Sequence, residues 1–275
     1  MNTFDETFEL TQNDFQAIAF LLYNNVGISL SESKKHLVYN RLIHRIRSKK
    51  LSSFKQYIHL LDDKNAPEWN YFLNALTTNL TSFYREPYHF ELLAEYASKH
   101  LIHKSQTQPI KVWCSACSTG EEAYSIAMTL IDTFGCIDPP VKILATDLNT
   151  DVLQRAKKGI YSVKELENLT DQQKKKFFNC DSKKQYFQVK KEVKALISFK
   201  RLNLISKQWP MAKQFDVIFC RNVMIYFDKQ TQQQLLRKLA HYLPIDARLF
   251  IGHSESISTT QTAFKLMGQT MYKRV

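Results

Sequence analysis

The stretch Ile110-Lys111-Val112-Trp113-Cys114-Ser115-Ala116-Cys117-Ser118-Thr119-Gly120-Glu121-Glu122 decides the fold. Residues 110–113 alternate in polarity as a β-strand does, and residues 123–131 carry apolar side chains at helical spacing. The small residues between them predict a tight turn. A helix that begins at such a turn points unpaired backbone N–H groups and the positive end of its dipole at whatever lies there. The stretch therefore predicts strand, turn and helix, with either a nucleotide-like cofactor at the turn or an ordinary βα connection.

Other apolar segments predict the remaining strands of this sheet: residues 141–147, 215–220 and 248–253. Asp147 ends the first of them, where an acid can accept hydrogen bonds from ribose hydroxyls. The segment 215–220 is apolar almost throughout, which indicates a strand buried on both faces. Residues 263–275 alternate and carry a central glycine, which predicts a terminal hairpin.

The alternation of predicted strands and helices is interrupted before the strand at residues 215–220. Residues 185–190 and 193–199 alternate as short antiparallel strands do. We therefore expect a small β subdomain at about residues 176–200, inserted in a connection of the main sheet.

Residues 8–80 read as entirely helical, and the segment 34–50 is strongly basic. Its apolar side chains predict one buried stripe, formed by Tyr39, Leu42, Ile43 and Ile46. No acidic residue occurs between Ser33 and Leu61. A basic face without acidic partners repels itself, so we interpret it as a binding surface for an acidic partner; a solvated helix face is the alternative.

Composition bounds the class of protein. The chain has 275 residues and a net charge of +12, which favours nucleic acid, an anionic membrane surface or an acidic protein as partner. No apolar run of about 18 residues occurs, so we expect no membrane insertion. Residues 1–6 lack the basic and then apolar pattern of a signal peptide, which favours a cytoplasmic protein.

The cysteines are five in number and scattered, so we expect no disulfide framework. Cys114 and Cys117 form a C-x-x-C motif. Zinc binding would require further ligands at suitable spacing, and none is nearby in the sequence. We therefore expect no metal, and we interpret the pair as small residues lining a tight turn, with a redox motif as the alternative.

Polar residues gather at the predicted strand tips, which share one crevice in a doubly wound sheet. They are Glu121, Glu122, Asp147, Asn203, Arg221, Asn222 and, just beyond, Tyr226. No P-loop lysine is present, which argues against ATP. S-adenosylmethionine fits better, because it bears a nucleoside without a phosphate group; its ammonium needs an acid and its ribose needs Asp147.

Five motifs occur in order along nearly the whole chain: residues 78–86, 118–122, 145–147, 220–227 and 252–255. Together they resemble the chemotaxis receptor methyltransferase family, CheR. The resemblance implies a Rossmann-like S-adenosylmethionine-dependent α/β methyltransferase domain, an all-helical N-terminal domain and a small antiparallel β insertion. The domains would be residues 1–84, including the linker, and 85–275. The implied activity is methyl transfer from S-adenosylmethionine to glutamate carboxylates of chemoreceptors, which forms methyl esters and S-adenosylhomocysteine.

The resemblance also implies site residues. Those expected at the cofactor are Asn79, Thr81, Arg85, Glu121, Glu122, Asp147, Asn203, Leu204, Arg221 and Asn222. Either Glu121 or Glu122 would meet the methionine end, and we favour Glu122. Arg221 and Tyr226 would orient the substrate carboxylate, so Arg221→Ala is expected to remove turnover and spare cofactor affinity. The residues expected to dock on the acidic coiled coil of the receptor are Lys34, Arg41, His44, Arg45 and Arg47.

One departure concerns the tether that some family members make to a receptor's C-terminal pentapeptide. Their β subdomain has a glycine-bearing loop, whereas residues 179–184 contain no glycine, so we do not expect the tether. Rival interpretations are a nucleic-acid methyltransferase and a sensory module without turnover. Residues 221–224 lack the proline of many amino-group methyltransferases, which argues against the first. We expect a monomer.

Overall fold

The computed structural model describes residues 8–63, 66–105, 107–183, 185–212, 214–258 and 263–275. The N-terminal residues 1–6 and Lys184 of the glycine-free loop, both used above, lie outside the described residues. The chain divides into two units, one comprising Met1–Thr78 with Tyr226–Asp228 and the other Asn79–Ile225 with Lys229–Val275.

The first unit is helical, as the sequence predicts. Its α-helices are α1 (Gln12–Val26), α2 (Lys35–Ser48), α3 (Phe54–Leu60) and α4 (Glu68–Leu76). Thr11 caps the start of α1: its side chain and that of Asp14 accept each other's backbone N–H groups. Gly27, in the left-handed conformation, caps the end. Helix α2 buries Val38, together with apolar residues of the predicted stripe, whereas Tyr39 is only half-buried.

The basic face of α2 has an acidic partner that the local sequence does not contain. Glu68 of α4 is 2% exposed, and its carboxylate accepts hydrogen bonds from Arg45 Nε at 2.5 Å and Nη2 at 2.8 Å. Lys49 Nζ lies 3.1 Å from the same carboxylate, and Tyr57 donates to it at 3.0 Å. Arg41 donates to backbone oxygens at the end of α4. The expectation of a face without partners is therefore wrong at Arg45, because helix packing supplies an acid from outside the basic segment.

The second unit alternates strands and helices. In chain order its elements are α5 (Tyr88–Tyr96), α6 (Ile102–Ser105), β1 (Ile110–Cys114), α7 (Glu121–Phe134), β2 (Val141–Asp147), α8 (Thr150–Lys158), β3 (Ile160–Ser162), α9 (Asp171–Phe177), β4 (Phe178–Cys180), β5 (Tyr186–Val189), α10 (Lys191–Ala195), β6 (Ile197–Arg201), β7 (Val217–Cys220), α11 (Lys229–His241), β8 (Arg248–Ile251), β9 (Phe264–Gly268) and β10 (Met271–Arg274).

The main sheet has the strand order β6-β2-β1-β7-β8-β10-β9. Its first five strands are parallel, and β10 and β9 form the antiparallel terminal hairpin that the tail predicts. Every residue of β7 is buried, as expected for a central strand covered on both faces. The predicted α/β class is confirmed, and the order places the carboxyl ends of β2, β1 and β7 side by side.

The small antiparallel sheet exists, but its composition differs from the prediction. It has the order β3-β5-β4, so Ile160–Ser162 joins it from outside the expected segment 176–200. The assignment of residues 193–199 to antiparallel strands is wrong, because they are divided between α10 and β6. Strand β6 lies parallel to β2 at the edge of the main sheet, where one buried face produces the same alternation as a hairpin strand.

Asp181 accepts backbone hydrogen bonds from the start of β5. Its Oδ1 accepts the backbone N–H groups of Gln185 at 2.7 Å and Tyr186 at 2.9 Å. In the described part of the chain, no helix combines the length and apolar character needed to cross a membrane.

Candidate active site

Gly120 makes possible the turn between β1 and α7. Its φ of +104° is unfavourable for other residues, and a Cβ built there would lie 2.9 Å from both Ala156 Cβ and Tyr161 Oη. Cys117 N donates to Thr146 O at 2.8 Å, which joins the turn to β2. Glycine is therefore required here both by the backbone conformation and by the close approach of neighbours.

Asp147 lies against this turn, at the end of β2. Its Oδ2 accepts Ser118 N at 2.8 Å and its Oδ1 accepts Asn149 N at 2.9 Å. Burial raises the pKa of the Asp147 carboxyl, while the backbone bonds oppose that shift. Ser118 Oγ also donates to Asn79 O at 2.9 Å. The structure thus brings Asn79, Ser118 and Asp147 together, and each oxygen of Asp147 keeps a lone pair for a further donor.

The first two residues of α7 point to different partners. Glu121 is 3% exposed, and both of its carboxylate oxygens accept from Thr119 Oγ1, at 2.9 and 2.6 Å. Glu122 instead accepts from Arg221 Nη1 at 2.8 Å and from Cys114 Sγ at 3.2 Å. Burial raises the pKa of Glu122 and the nearby Arg221 lowers it. Of the two acids, only Glu122 lies with other predicted site residues.

Arg221, directly after β7, is the centre of a buried ionic cluster. Its side chain is 0% exposed, and besides Glu122 it contacts Glu86 Oε2 at 3.0 Å and Arg85 O at 2.5 Å, both through Nη2. Its Nε is buried and has no hydrogen-bond partner among the described residues. The geometry does not support Arg221 as the group that receives a substrate carboxylate, because the guanidinium tip is enclosed and faces two acids.

Glu86 and Glu255 belong to the site but were not singled out from the sequence. Glu86 accepts from Asn222 Nδ2 at 3.2 Å and from His253 N at 3.0 Å, in addition to Arg221. Burial raises the pKa of Glu86, but Arg221 and Asn222 lower it more, and the net shift is downward. Both acids lie within the motifs at residues 78–86 and 252–255, and that position was the available signal.

Glu255 organises the backbone after β7. Its carboxylate accepts the N–H groups of Gly252 at 2.6 Å, Met224 at 2.7 Å, Asn222 at 2.9 Å and Ile225 at 3.3 Å. Asn222 has a positive φ of 55°, and a Cβ on Gly252 would lie 2.4 Å from its Nδ2. Glu255 therefore holds Asn222 in a conformation that non-glycine residues rarely adopt.

The remaining predicted residues are distributed around this centre. Asn203 and Leu204 follow β6, and Leu202 N donates to Asp147 O at 2.9 Å, which places their segment beside the end of β2. Thr81 is half-buried. Tyr226 belongs to the helical unit, where its backbone oxygen accepts from Ser29 N at 2.9 Å.

The environment of the two C-x-x-C thiols indicates a structural role. Cys114 and Cys117 are fully buried, and burial raises both pKa values. A buried thiol with a raised pKa is a poor nucleophile. Among the described residues, no group of histidine, cysteine and acidic side chains is arranged to hold a metal ion.

A mostly parallel sheet with a glycine turn and acids at its carboxyl edge is the arrangement in which α/β proteins bind nucleoside cofactors. Comparison with known families agrees: "CheR methyltransferase, SAM binding domain" matches residues 79–273, and "CheR methyltransferase, all-alpha domain" matches residues 13–77. The chain belongs to the CheR methyltransferase family.

Relatives of similar length support this membership. A chemotaxis protein methyltransferase of Escherichia coli is 44% identical over 270 residues, which cover 97% of this chain and 92% of that protein. Chemotaxis protein methyltransferase 2 of Pseudomonas aeruginosa is 43% identical over 270 residues, covering 98% of this chain and 95% of that one. The resemblance inferred from five motifs is therefore confirmed, and with it a methyltransferase that has an S-adenosylmethionine-binding domain.

Proposed function

We propose that this protein transfers the methyl group of S-adenosylmethionine to glutamate side chains of chemoreceptors. The observation that carries the proposal is the Glu122–Arg221 pair. Together with Asp147 at the end of β2, it lies at the carboxyl edge of the sheet in a chain of the CheR methyltransferase family. The names of the relatives, which refer to chemotaxis, support the receptor as substrate. The product would be a glutamate methyl ester.

The residues present fit the cofactor. Glu122 offers a carboxylate to its ammonium group, and Asp147 offers a lone pair on each oxygen to its ribose hydroxyls. When bound, the cofactor supplies a methyl group activated by a sulfonium.

The chain's own contribution is to bind, orient and exclude water. A glutamate side chain is ionised at neutral pH, so its oxygen can attack the methyl carbon without a general base. The C–O bond forms as the C–S bond breaks, the electron pair stays on sulfur, and no proton moves. Catalysis then depends on holding donor and acceptor in line.

Arg221 acts here as a positioning residue. Its contacts hold Glu122, Glu86 and the backbone of Arg85, so Arg221→Ala is expected to weaken cofactor binding as well as turnover. This differs from the expectation drawn from sequence, in which affinity was spared. Isothermal titration with S-adenosylhomocysteine measures the affinity directly.

The receptor-docking surface is proposed to consist of the exposed basic residues of the helical unit, Lys34, His44 and Arg47. Arg41 and Arg45 already bind carbonyl oxygens and Glu68, so we assign them to holding the unit together. Docking on an acidic coiled coil would weaken as salt rises. Methylation rates that stay flat between low and high ionic strength would exclude this surface.

The decisive experiment is methyl transfer from labelled S-adenosylmethionine to membranes carrying chemoreceptors, followed by mild alkali. Label released as volatile methanol would establish a carboxyl methyl ester. Glu122→Gln should lose most of the incorporation, whereas Glu167→Gln, at an exposed position, should retain it. Alkali-stable label would mean N-methylation and would contradict the proposal.

A further inference from the structure

A second concave site lies on the methyltransferase unit, between α11 and the segment that follows β6. The cavity has a volume of about 460 Å³, within the range of sites for small molecules. Its walls include Lys207, Trp209, Arg237, Lys238 and Tyr242. None of these residues has a role in the proposed methyl transfer.

The cavity is positively charged and aromatic. Lys207 and Arg237 are exposed at its rim, as is His241, and the residues described as lining it include no carboxylate. Guanidinium and ammonium groups without acidic neighbours favour an anion, and a guanidinium can bind two oxygens of a phosphate at once. His241 and Tyr242 also line the cavity, where their rings can contact a planar group.

The floor of the cavity is formed by a buried, hydrogen-bonded side chain. Trp209 is 6% exposed, its Nε1 donates to Asn203 O at 3.3 Å, and its ring packs edge-on against Trp113 at 4.9 Å. Lys238 Nζ lies 4.2 Å from the centre of the Trp209 ring and donates to the backbone oxygens of Leu204 and Ser206. One ammonium group therefore faces the cavity and also restrains the segment that follows β6.

We propose that this cavity binds a phosphorylated small molecule of nucleotide size, with the phosphate at Arg237 and Lys207 and the base against Tyr242. The inference concerns a site distinct from the one at Asp147. Its volume suits a nucleoside monophosphate, and its rim supplies the cations that the phosphate requires.

The same contacts predict coupling to the cofactor, an inference that rests on the proposed role of Asn203 and Leu204. A phosphate in the cavity attracts the ammonium of Lys238 away from the oxygens of Leu204 and Ser206. The segment beside Asp147 then loses a restraint, and cofactor affinity falls. Because coupling is reciprocal, the cofactor lowers affinity for the anion by the same factor.

The test is calorimetric titration of the full chain with AMP, with S-adenosylhomocysteine saturating the first site so that AMP cannot enter it. Lys207→Gln/Arg237→Gln should raise the Kd for AMP at least tenfold. The control Lys164→Gln/Lys229→Gln, which removes the same number of charges at exposed positions outside the cavity, should leave it unchanged. Adenosine and inorganic phosphate should each bind more weakly than AMP.

Saturating AMP should raise the Kd for S-adenosylhomocysteine about fivefold, and Lys238→Gln should abolish this shift. Binding of AMP that is unchanged in the double variant, or adenosine binding as tight as AMP, would overturn the site. An unshifted Kd would overturn the coupling. Methyl transfer is assayed separately, so AMP binding without receptor methylation would contradict the proposed function and leave this inference standing.

Discussion

Replacing Gly120 by alanine tests whether the turn between β1 and α7 requires glycine for the reasons given. Gly120 has a φ of +104°, and an added Cβ would approach Ala156 Cβ and Tyr161 Oη to 2.9 Å. Gly135, at the other end of α7, also has a positive φ, +66°, but nothing lies within 4 Å of an added Cβ. Gly135→Ala is therefore a matched control that has the backbone cost and lacks the steric one.

The magnitudes follow from these two environments. An L-residue in a left-handed conformation costs about 1–2 kcal/mol. Crowding a packed site with an extra methyl group costs about 1–3 kcal/mol more. We therefore expect Gly120→Ala to lower the free energy of unfolding by roughly 2–5 kcal/mol and Gly135→Ala by about 1–2 kcal/mol.

The assays are urea unfolding of both variants and calorimetric titration with S-adenosylhomocysteine. A shifted turn would disturb the bond from Ser118 N to Asp147, so Gly120→Ala should also weaken cofactor binding at least tenfold, roughly 1.4 kcal/mol. Gly135→Ala should leave affinity unchanged. The steric part can be tested by adding Ala156→Gly, which removes Ala156 Cβ, one of the two atoms that lie 2.9 Å from the new Cβ; Ala156 Cα remains at 3.1 Å.

A double-mutant cycle with these substitutions should give a coupling free energy of about 1 kcal/mol or more, because the two side chains compete for the same space. Equal destabilisation by Gly120→Ala and Gly135→Ala, together with additivity in the cycle, would refute the steric explanation. Unchanged cofactor affinity in Gly120→Ala would refute the link between this turn and the site.

Four substitutions test the acids of the two units. Glu122→Gln should weaken S-adenosylhomocysteine binding about tenfold or more by calorimetry, and Glu121→Gln by less than about threefold, because only Glu122 lies with Arg221. Glu255→Ala leaves four backbone N–H groups without their acceptor. The free energy of unfolding, followed by thermal unfolding, should therefore fall by at least about 3 kcal/mol, and kcat should fall as well. Although burial raises the pKa of Glu68, its bonds, that from Arg45 foremost, lower it more. The ionised Glu68 therefore stabilises the helical unit at pH values above the ordinary carboxyl pKa, and this stabilisation is lost as the pH falls through the lowered pKa of Glu68. Glu68→Gln should remove the loss of helical circular dichroism that accompanies this protonation.

The sequence alone predicted the elements whose signals are local. The alternation of 110–113, the small-residue turn and the helical spacing after it are all read within a few residues, and each is present. Asp147 was placed beside the turn from the order of strand and acid, and Ser118 N binds it at 2.8 Å. These predictions succeed because backbone geometry and capping depend on near neighbours.

Where the pattern of a short segment fits more than one structure, its tertiary partners decide which structure it adopts. Residues 197–201 alternate equally well as a hairpin strand or as the half-buried edge of a parallel sheet, and only the pairing with β2 distinguishes them. The basic face of α2 likewise has no acid in its own sequence, but Glu68 reaches it when α4 packs against it. Sheet registry and helix packing are global properties that periodicity does not encode.

The environment of Arg221 was decided by tertiary structure. Its partner Glu122 is 99 positions away and Glu86 is 136 positions from its neighbour Asn222, so no local rule could show that the guanidinium is enclosed between two acids. Glu255 reaches Asn222 across 33 positions for the same reason. The residues at the strand tips were evident from the sequence, whereas their contacts depended on the parallel sheet, which brings strand ends that are distant in the chain to one edge.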